Sequence, residues 1–548
     1  MRPLSMFGPD FPFGYDDFLK HPAGIGSIPP AMHGTEVAII GAGIAGIVSA
    51  YELMKLGLRP QIYEADRIGG RMRSEPFKDG DGAFAELGAM RFPPSSASLF
   101  HYFDKVGLQT RDFPNPLTKA SRSTVIELGG QEYYARRSSD LPVVFQDVER
   151  AWQSALDEGA HFAALQAAIL ARNPGAIKSI WNPLVEKLDE ESFYGFIAKS
   201  SAFKRLGFRA REIFGQVGFG TGGWDTDYPH SILEILRVVA TGCEDDQKLV
   251  IGGIEQLPRR LWEHAPDCVH WPAGTSLASL HGNTPRPAVK RIAPGADHKI
   301  AITDRYGNTN AFAAAIVTCQ VWLLSAQIDC AESLFDHEMW MAMERSHYAQ
   351  SSKTFIMVDR PFWHDVDPVS GRDVMSMTLS DRMTRGTYLF DNGPGKRGVI
   401  CLSYTWNDDA MKWISLPADE RVRLMLHSLK QIYPKLNISE HIIGAPITVS
   451  WESDPNFMGA FKANLPGHYR YQRRLFSHFV QDKLPAHQRG IFLAGDDISW
   501  TAAWAEGAVT SALNAVAGTI RHLGGIGAPG NPDPINAWDA LQPIKLGD

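Results

Sequence analysis

Three glycines near the start of the chain have the spacing of a phosphate-binding turn. Gly41, Gly43 and Gly46 follow a predicted strand at 36–40, apolar from residue 37, and open a segment, 47–56, with apolar residues at helical spacing. The first glycine permits a tight turn, the second lets backbone N–H groups approach a pyrophosphate, and the third lets the helix pack closely on the strand. This spacing predicts a strand, a turn and a helix that bind a dinucleotide.

An acidic residue follows the second predicted strand of the same unit. Residues 61–63 form that strand, and Glu64 comes about 20 residues after the glycines, where a carboxylate can accept hydrogen bonds from ribose hydroxyls. A glycine turn in another kind of α/β sheet would not explain the acid. The two strands, the helix and the acid together therefore indicate a nucleotide-binding βαβ unit.

Two further segments favour a flavin over a nicotinamide. Residues 67–71 place two adjacent glycines between arginines, which suits a loop that crosses a diphosphate and then a planar ring. Near the C-terminus, residues 491–496 predict a strand that ends at Asp496, whose carboxylate can bind a ribityl or ribose hydroxyl. A helix that begins near Gly507 directs its positive dipole end at the ring edge where a reduced flavin carries negative charge.

These segments resemble the flavin amine oxidase family. The likeness lies in residues 67–71, in 250–258, which look like the family's strand and turn that enter the flavin domain a second time, and in 490–508. Residues 7–13 and 468–471 extend it to the bacterial L-amino acid oxidases and 2-monooxygenases that act on lysine, arginine or tryptophan. The resemblance covers essentially the whole chain.

The resemblance implies an α/β fold with a Rossmann-like FAD-binding domain, interleaved with an α+β substrate domain that has a mixed sheet and a helical insertion. The FAD-binding domain is expected to comprise residues 35–95, 245–320 and 452–525. The substrate domain is expected to comprise residues 96–244 and 321–451, with a helical lid near 148–206 and terminal extensions at 1–34 and 526–548. Alternating β-branched and aromatic residues favour strands at 353–358, 399–404 and 447–451.

The cofactor implied by the resemblance is FAD. The residues expected to contact it are Gly41, Gly43, Ile44, Ala45, Gly46, Glu64, Ala65, Gly70, Arg71, Gly88, Ala89, Met90, Arg91, Gly495, Asp496, Trp504 and Ala505. A metal ion is not expected, because neither an HExxH motif nor clustered cysteine and histidine residues occur in the sequence.

One arginine is the candidate partner of a substrate carboxylate. An enzyme that oxidises α-amino acids must hold this group in a dry pocket over the flavin, and a guanidinium suits it best because it binds through two hydrogen bonds. Arg91 lies in a stretch, 86–93, that resembles the family. The alternative is an arginine at the surface or between domains.

The resemblance assigns three further residues around the flavin. Lys353 matches the lysine that in this family hydrogen-bonds a water at flavin N5, although a lysine that opens an apolar strand is often an edge residue reaching solvent. Trp504 and Tyr404 are expected to wall the pocket, with the Tyr404 hydroxyl contacting the substrate carboxylate. The alternative for both is a place in the core. Arg91, Lys353 and Trp504 are the candidate catalytic residues.

A basic substrate needs an acidic partner at the far end of the pocket. Asp225 and Asp227 share one face if the chain is extended, and Asp227 is favoured as the partner of an ammonium or guanidinium group. One of them could instead cap the helix that begins near residues 229–231, which leaves open which aspartate contacts substrate. Further candidate substrate contacts are Trp224, Trp406 and Cys243. For the thiol, burial as a structural residue is the alternative.

The implied reaction begins with hydride transfer from the Cα of a basic L-amino acid to flavin N5. If the imino acid leaves, the products are a 2-oxo acid, ammonia and hydrogen peroxide; if it is retained, oxidative decarboxylation gives an amide. The partition depends on how well the pocket closes. The alternatives are an L-arginine or other L-amino acid oxidase and a tryptophan or phenylalanine 2-monooxygenase. More distant ones are an NAD-dependent dehydrogenase and a non-catalytic flavin-binding scaffold.

The composition argues against several other classes of protein. Among 548 residues, 54 lysines and arginines stand against 61 aspartates and glutamates, and this net charge of −7 does not suit binding to nucleic acid or an anionic membrane. Five cysteines without a CxxC pair indicate reduced thiols. Since no signal segment or bilayer-length apolar run is found, we expect a cytoplasmic enzyme. Its expected partners are a basic L-amino acid, molecular oxygen and further copies of itself, as a homodimer or larger homo-oligomer.

Overall fold

A parallel sheet of four strands forms the base of the nucleotide-binding region in the computed structural model, which describes residues 4–217 and 229–547. The strand order is Arg59–Tyr63, Glu36–Ile40, Ala314–Val317 and Ile491–Leu493. Nearly all of these residues are buried, as parallel sheets require when both faces are covered. The strands come from distant parts of the chain, so separated segments must meet to complete this sheet.

Two long helices, Ile44–Lys55 and Ala505–His522, pack against each other and against this sheet. Almost every residue of both helices is buried. A Cβ atom on Gly46 would lie 1.9 Å from the carbonyl oxygen of Gly41, so only glycine permits this approach of helix to turn. The third glycine of the fingerprint is therefore required by packing.

A second sheet of seven strands supports the other side of the molecule. Its order is Ile442–Ser450, Ser351–Val358, Gly398–Trp406, Gly386–Phe390, Met377–Ser380, Thr124–Leu128 and Gln131–Ala135. All neighbours are antiparallel except Met377–Ser380 with Thr124–Leu128, so the sheet is mixed. Lys353 is paired directly with Tyr404 in this sheet. The three predicted strands at 353–358, 399–404 and 447–451 fall on its first three strands.

The predicted helical insertion is a run of consecutive helices: Val143–Ala160, Phe162–Leu170, Pro174–Leu188, Phe193–Lys199, Ser201–Leu206 and Phe208–Val217. Aromatic side chains hold these helices together: the ring of Phe214 lies 5.0 Å from that of Trp152 and 5.8 Å from that of Phe193. Within the described ranges, no helix combines the length and apolar character needed to span a bilayer.

Shorter elements connect these parts. A small sheet has the order Thr309–Phe312, Ile300–Asp304, Val289–Pro294 and Asp329–Cys330. Paired short strands are Ser74–Pro76 with Phe84–Glu86, Thr110–Asp112 with Lys248–Val250, and Tyr348–Ala349 with Phe461–Lys462. The remaining α-helices are Tyr15–Lys20, Ala97–Lys105, Ile232–Ala240, Gln256–Glu263, Leu277–Leu280, Leu323–Ala326, His337–Glu344, Asn407–Met411, Ala418–Ile432, Tyr469–Ser477 and Trp538–Leu541.

Both ends of the chain pack on the body of the protein. The ring of Phe11 lies 5.4 Å from that of Phe476 and 5.7 Å from that of Trp538. The Asn531 side chain donates hydrogen bonds to the carbonyl oxygens of Phe18 and Gly24, at 2.9 and 2.8 Å. The N-terminal residues and the C-terminal tail therefore stabilise each other.

The predicted fold class, with a parallel nucleotide-binding sheet and a mixed second sheet, is confirmed. At the segment 250–258, which resembles a strand and a turn, the structure has the short strand Lys248–Val250, which pairs with Thr110–Asp112. The parallel sheet also contains the strand Ala314–Val317, which lies between Glu36–Ile40 and Ile491–Leu493. Its alanines have weak β propensity, so the sequence gave no strand signal there.

Candidate active site

A cavity of about 420 Å³ lies where the parallel sheet meets the seven-stranded sheet. Its size falls within the range of small-molecule sites. Predicted cofactor residues that line it are Gly41, Gly43, Ile44, Ala45, Glu64, Ala65, Gly70, Arg71, Gly88, Ala89, Gly495, Asp496, Trp504 and Ala505. The predicted site residues Lys353 and Tyr404 line it as well. Segments from the start, middle and end of the chain thus meet around one space.

The glycine turn leaves room for a ligand beside it. Gly41 has a φ of +108°, in the region that favours glycine, and a Cβ there would lie 2.7 Å from Thr318 Oγ1. A Cβ on Gly43 would have no described atom within 4 Å, so the turn is open at this residue. The helix Ile44–Lys55 starts there without a side-chain cap in the described part of the chain. Its first N–H groups are therefore available to an anion.

Glu64 holds the neighbouring backbone in place. Its carboxylate accepts hydrogen bonds from the N–H groups of Ala42 at 2.6 Å and of Ala65 and Asp66 at 2.9 Å each. Burial raises the pKa of Glu64, while these hydrogen bonds favour the charged form. The acid thus fixes the turn, and it lines the cavity where a ribose can reach it.

An ion pair joins the two ends of the nucleotide site. The guanidinium of Arg71 pairs with the carboxylate of Asp496 and donates to the carbonyl oxygen of Ala460 at 2.9 Å. A Cβ on Gly88 would lie 1.7 Å from the carbonyl oxygen of Arg71, so these two segments are in close backbone contact. Arg71 and Asp496 therefore bring the second glycine segment and the C-terminal segment to one side of the cavity.

Lys353 is buried, with 2% of its surface exposed, and its Nζ faces carbonyl oxygens. The amine donates hydrogen bonds to Glu86 O at 3.0 Å and to Gly88 O at 2.6 Å. Burial, together with the positive charge of Arg91, lowers the pKa of Lys353 to about 7. The reading of Lys353 as an edge residue that reaches solvent is therefore wrong.

Arg91 lies between aromatic rings and has an unused hydrogen-bond donor. Its guanidinium carbon is 5.7 Å from the centre of the Phe113 ring and 5.6 Å from that of Tyr404. Its Nη1 atom is buried and has no hydrogen-bond partner among the described residues. An unsatisfied buried donor on a cation is costly, so this geometry suits an anionic ligand. Arg91 is not itself part of the cavity lining, but its neighbour Tyr404 is.

Two residues near Arg91, Glu244 and Tyr388, were not predicted from the sequence. Burial alone would lower the pKa of Arg91, but Tyr388, Tyr404 and Glu244 hold it above its usual value. Burial raises the pKa of Glu244 to about 7, and Arg91 opposes this rise. Glu244 belongs to an acidic run that looks like an exposed turn, and Tyr388 belongs to a buried strand. Neither residue had a local signal that linked it to Arg91.

Several predicted residues lie apart from the cavity lining. Trp406 is buried, and its ring contacts those of Tyr404 and Phe461 at 5.1 and 5.9 Å. Cys243 is fully buried, 3.4 Å from Thr241 Oγ1, and burial raises the pKa of its thiol. Met90 and Gly46 are buried in the core. The surroundings of Cys243 therefore match the alternative of a buried structural thiol. Three predicted contacts fall outside the described residues: Trp224, Asp225 and Asp227.

Other lining residues come from the segment after the unpredicted strand. Thr318 donates a hydrogen bond from Oγ1 to Ile40 O at 2.9 Å, and Cys319 and Gln320 follow it along the cavity. The uncharged character of this segment was its only sequence signal. In the described ranges, no group of three or more histidine, cysteine, aspartate and glutamate side chains is arranged to hold a metal ion.

A family model described as flavin containing amine oxidoreductase matches residues 44–520, which include Gly46, Lys353 and Asp496. The chain belongs to this family. The cofactor of these flavin amine oxidoreductases is FAD. The open turn at Gly43 and the cavity lined by the carboxylates of Glu64 and Asp496 fit such a group.

Other members of the flavin amine oxidoreductase family resemble the chain over most of its length. It is 33% identical to tryptophan 2-monooxygenase of Pseudomonas savastanoi, over 96% of this chain and 98% of that protein. It is 27% identical to the L-amino-acid oxidase of Mus musculus, over 89% of this chain and 71% of that protein. A putrescine oxidase structure superposes with a TM-score of 0.66 at 19% identity, over 89% of this chain and 99% of that one. The last comparison supports the fold alone.

Proposed function

We propose that the protein oxidises an L-amino acid at Cα, with Arg91 binding the substrate carboxylate. The observation that carries this proposal is the buried Nη1 atom of Arg91, which has no hydrogen-bond partner among the described residues. A carboxylate placed there gains a charge-assisted hydrogen bond and satisfies this donor. The hydroxyl of Tyr404, on the ring beside Arg91, is a second group that can contact it.

FAD, when bound, supplies the acceptor for the hydride from Cα and passes the electrons to oxygen. Lys353 lines the cavity, and in its neutral form its two N–H groups serve the carbonyl oxygens of Glu86 and Gly88. Its lone pair is then free to accept a hydrogen bond from a water or from the substrate amine. We propose that Trp504, a large residue that lines the cavity, excludes bulk water from the same space.

We propose a basic L-amino acid, lysine or arginine, as the substrate. This choice rests on Asp225 and Asp227 in the sequence, either of which could pair with a cationic side chain, and on the bacterial oxidases that the chain resembles. L-tryptophan is the second candidate, because relatives that match nearly the whole chain are named tryptophan 2-monooxygenases. We propose that the enzyme is a cytoplasmic homo-oligomer.

The product depends on whether the imino acid stays in the cavity. If it is retained, we expect oxidative decarboxylation to the amide; if it leaves, a 2-oxo acid, ammonia and hydrogen peroxide form. The aromatic rings of Phe113 and Tyr404 beside Arg91 favour retention, so the amide is the main product that we propose.

Product analysis tests this proposal. The purified holoenzyme is incubated in air with L-lysine, L-arginine, L-tryptophan and, as a control, D-lysine, and the amide, the 2-oxo acid and peroxide are quantified. We expect the amide from a basic L-amino acid and nothing from D-lysine. Preferred turnover of L-tryptophan would replace the basic substrate with the second candidate, and no turnover of any L-amino acid would overturn the proposal.

A further inference from the structure

Asp10, near the N-terminus, is a fully buried charge that contacts residues far along the chain. Its carboxylate accepts hydrogen bonds from Trp181 Nε1 at 2.9 Å and from Arg237 Nε and Nη2 at 2.6 and 3.1 Å. The side chain is 0% exposed. Both oxygen atoms are therefore paired, and Arg237 is bound through two hydrogen bonds, the strongest geometry for this kind of pair.

The guanidinium of Arg237 is also held between two tryptophans. Its central carbon lies 5.4 Å from the centre of the Trp181 ring and 4.8 Å from that of Trp500. Trp181 belongs to the helical insertion, Arg237 to the helix Ile232–Ala240, and Trp500 to the loop after the strand Ile491–Leu493. Asp10 thus fixes one cation at the meeting point of three separate segments.

The loop that carries Trp500 continues to Trp504, which lines the large cavity. Ala503, directly before Trp504, has a φ of +67°, a backbone conformation that residues other than glycine rarely adopt. Such a conformation persists only where its surroundings enforce it. The position of Trp504 therefore depends on what packs against this loop.

The N-terminal segment packs against it. Gly8 and Pro9, directly before Asp10, line a small cavity together with Cys243, Thr501 and Trp504. Since Trp504 lines both this small cavity and the large one, this residue forms part of the wall between them. The N-terminal residues consequently touch the rear of the candidate active site.

We propose that Asp10 is a positioning residue for the active site: through Arg237 and Trp500 it holds the loop 499–504, and with it Trp504, against the cavity. The helix that carries Arg237 also ends next to Cys243, so the same ion pair fixes a second wall of the small cavity. Asp10 does not line the large cavity, so it acts through other residues. Its functional effect rests on the proposed amino acid oxidation, but its structural effect does not.

The test compares Asp10→Asn with Asp16→Asn. Asp16 is a matched control because it belongs to the same N-terminal region and pairs with an arginine, Arg172, at 2.7 Å, but it is not part of the contacts to Trp500 and Trp504. In the holoenzymes, hydrogen–deuterium exchange of peptides covering 499–507 reports the loop directly. Steady-state kinetics and the amide-to-oxo-acid ratio, with whichever L-amino acid the wild type oxidises, report the site.

We expect faster exchange of the loop in Asp10→Asn, about a tenfold rise in KM with a smaller change in kcat, and a shift of products from amide to 2-oxo acid. Asp16→Asn should match the wild type in all three. Equal exchange in the two variants, or altered exchange with unchanged KM and product ratio, would overturn the proposal. If Asp10→Asn does not fold, Trp500→Phe decides in the same way, since it leaves the Asp10–Arg237 pair intact. A wild type that oxidises no amino acid would refute the proposed function, while the exchange data would still decide whether Asp10 holds the loop.

Discussion

The amine nitrogen of Lys353 lies 4.6 Å from the centre of the Tyr404 ring, and the two residues are directly paired on neighbouring strands. Arg91 lies over the same ring at 5.6 Å. Two cationic side chains therefore share one aromatic neighbour at the edge of the cavity. Their proximity explains part of the low pKa of Lys353, about 7, with burial as the larger cause.

This pKa predicts how activity depends on pH. As the pH rises through about 7, Lys353 loses its third proton and its lone pair becomes available, so kcat/KM should rise. Lys353→Met should remove this step from the pH profile and lower kcat/KM by about 100-fold. Lys462→Met is the control, because Lys462 is also buried, with a pKa lowered to about 8, but does not line the cavity. A step near pH 7 that persists in Lys353→Met would contradict the assignment.

Replacing Arg91 should weaken the binding of every L-amino acid. Arg91→Ala removes the partner of the substrate carboxylate, a loss of about 3 kcal/mol, or roughly 100-fold in KM. Arg91→Lys should restore only part of this, since an ammonium cannot form the paired hydrogen bonds of a guanidinium. KM values for lysine, arginine and phenylalanine provide the measurement. Arg122→Ala, which alters a partly exposed arginine paired with Asp373, should change none of them.

Two glycines of the turn should respond differently to alanine. Gly46→Ala places a methyl group 1.9 Å from Gly41 O and should destabilise the protein itself by about 1–3 kcal/mol. Gly43→Ala meets no described atom within 4 Å and has an ordinary φ of −68°, so the FAD-free protein should keep its Tm. Its FAD dissociation constant should nevertheless rise about tenfold or more, because the methyl group occupies the space of the pyrophosphate. Unchanged FAD binding in Gly43→Ala would place the cofactor elsewhere.

Substrate choice should depend on Asp227. We expect Asp227→Ala to lower kcat/KM for lysine and arginine by roughly 100-fold, because a cationic side chain loses its counter-charge, and to leave phenylalanine nearly unchanged. Asp225→Ala is the matched variant, two residues away in the same sequence stretch. Equal losses for lysine and phenylalanine would remove the specificity argument, and a selective loss in Asp225→Ala alone would transfer the role to that residue.

The nucleotide-binding half of the fold follows from local rules. Gly41 and Gly46 meet steric requirements of one turn and Gly43 leaves that turn open, and this glycine spacing is visible in sequence. The strand around Lys353 was equally clear, because its β-branched and aromatic residues have a strong strand preference. Ala314–Val317 was missed, since burial between two neighbouring strands, rather than local preference, makes it a strand.

The surroundings of Arg91 show where sequence reasoning stops. The type of residue suggested its role, but Glu244 and Tyr388 come close to it only through packing of distant segments. The same holds for Asp10, which meets Arg237 only in the folded chain. Cys243 was ambiguous because a thiol beside a helix end looks the same whether it faces a site or the core.

Anaerobic mixing of the holoenzyme with amino acids tests the central claim most directly. The absorbance of the bound flavin at about 450 nm is followed after addition of L-lysine, L-arginine, L-tryptophan or D-lysine. Rapid bleaching by a basic L-amino acid, slower or no bleaching by L-tryptophan and none by D-lysine is the result that we predict. A flavin that stays oxidised with all three L-amino acids would contradict the proposal that this protein is an L-amino acid oxidising enzyme.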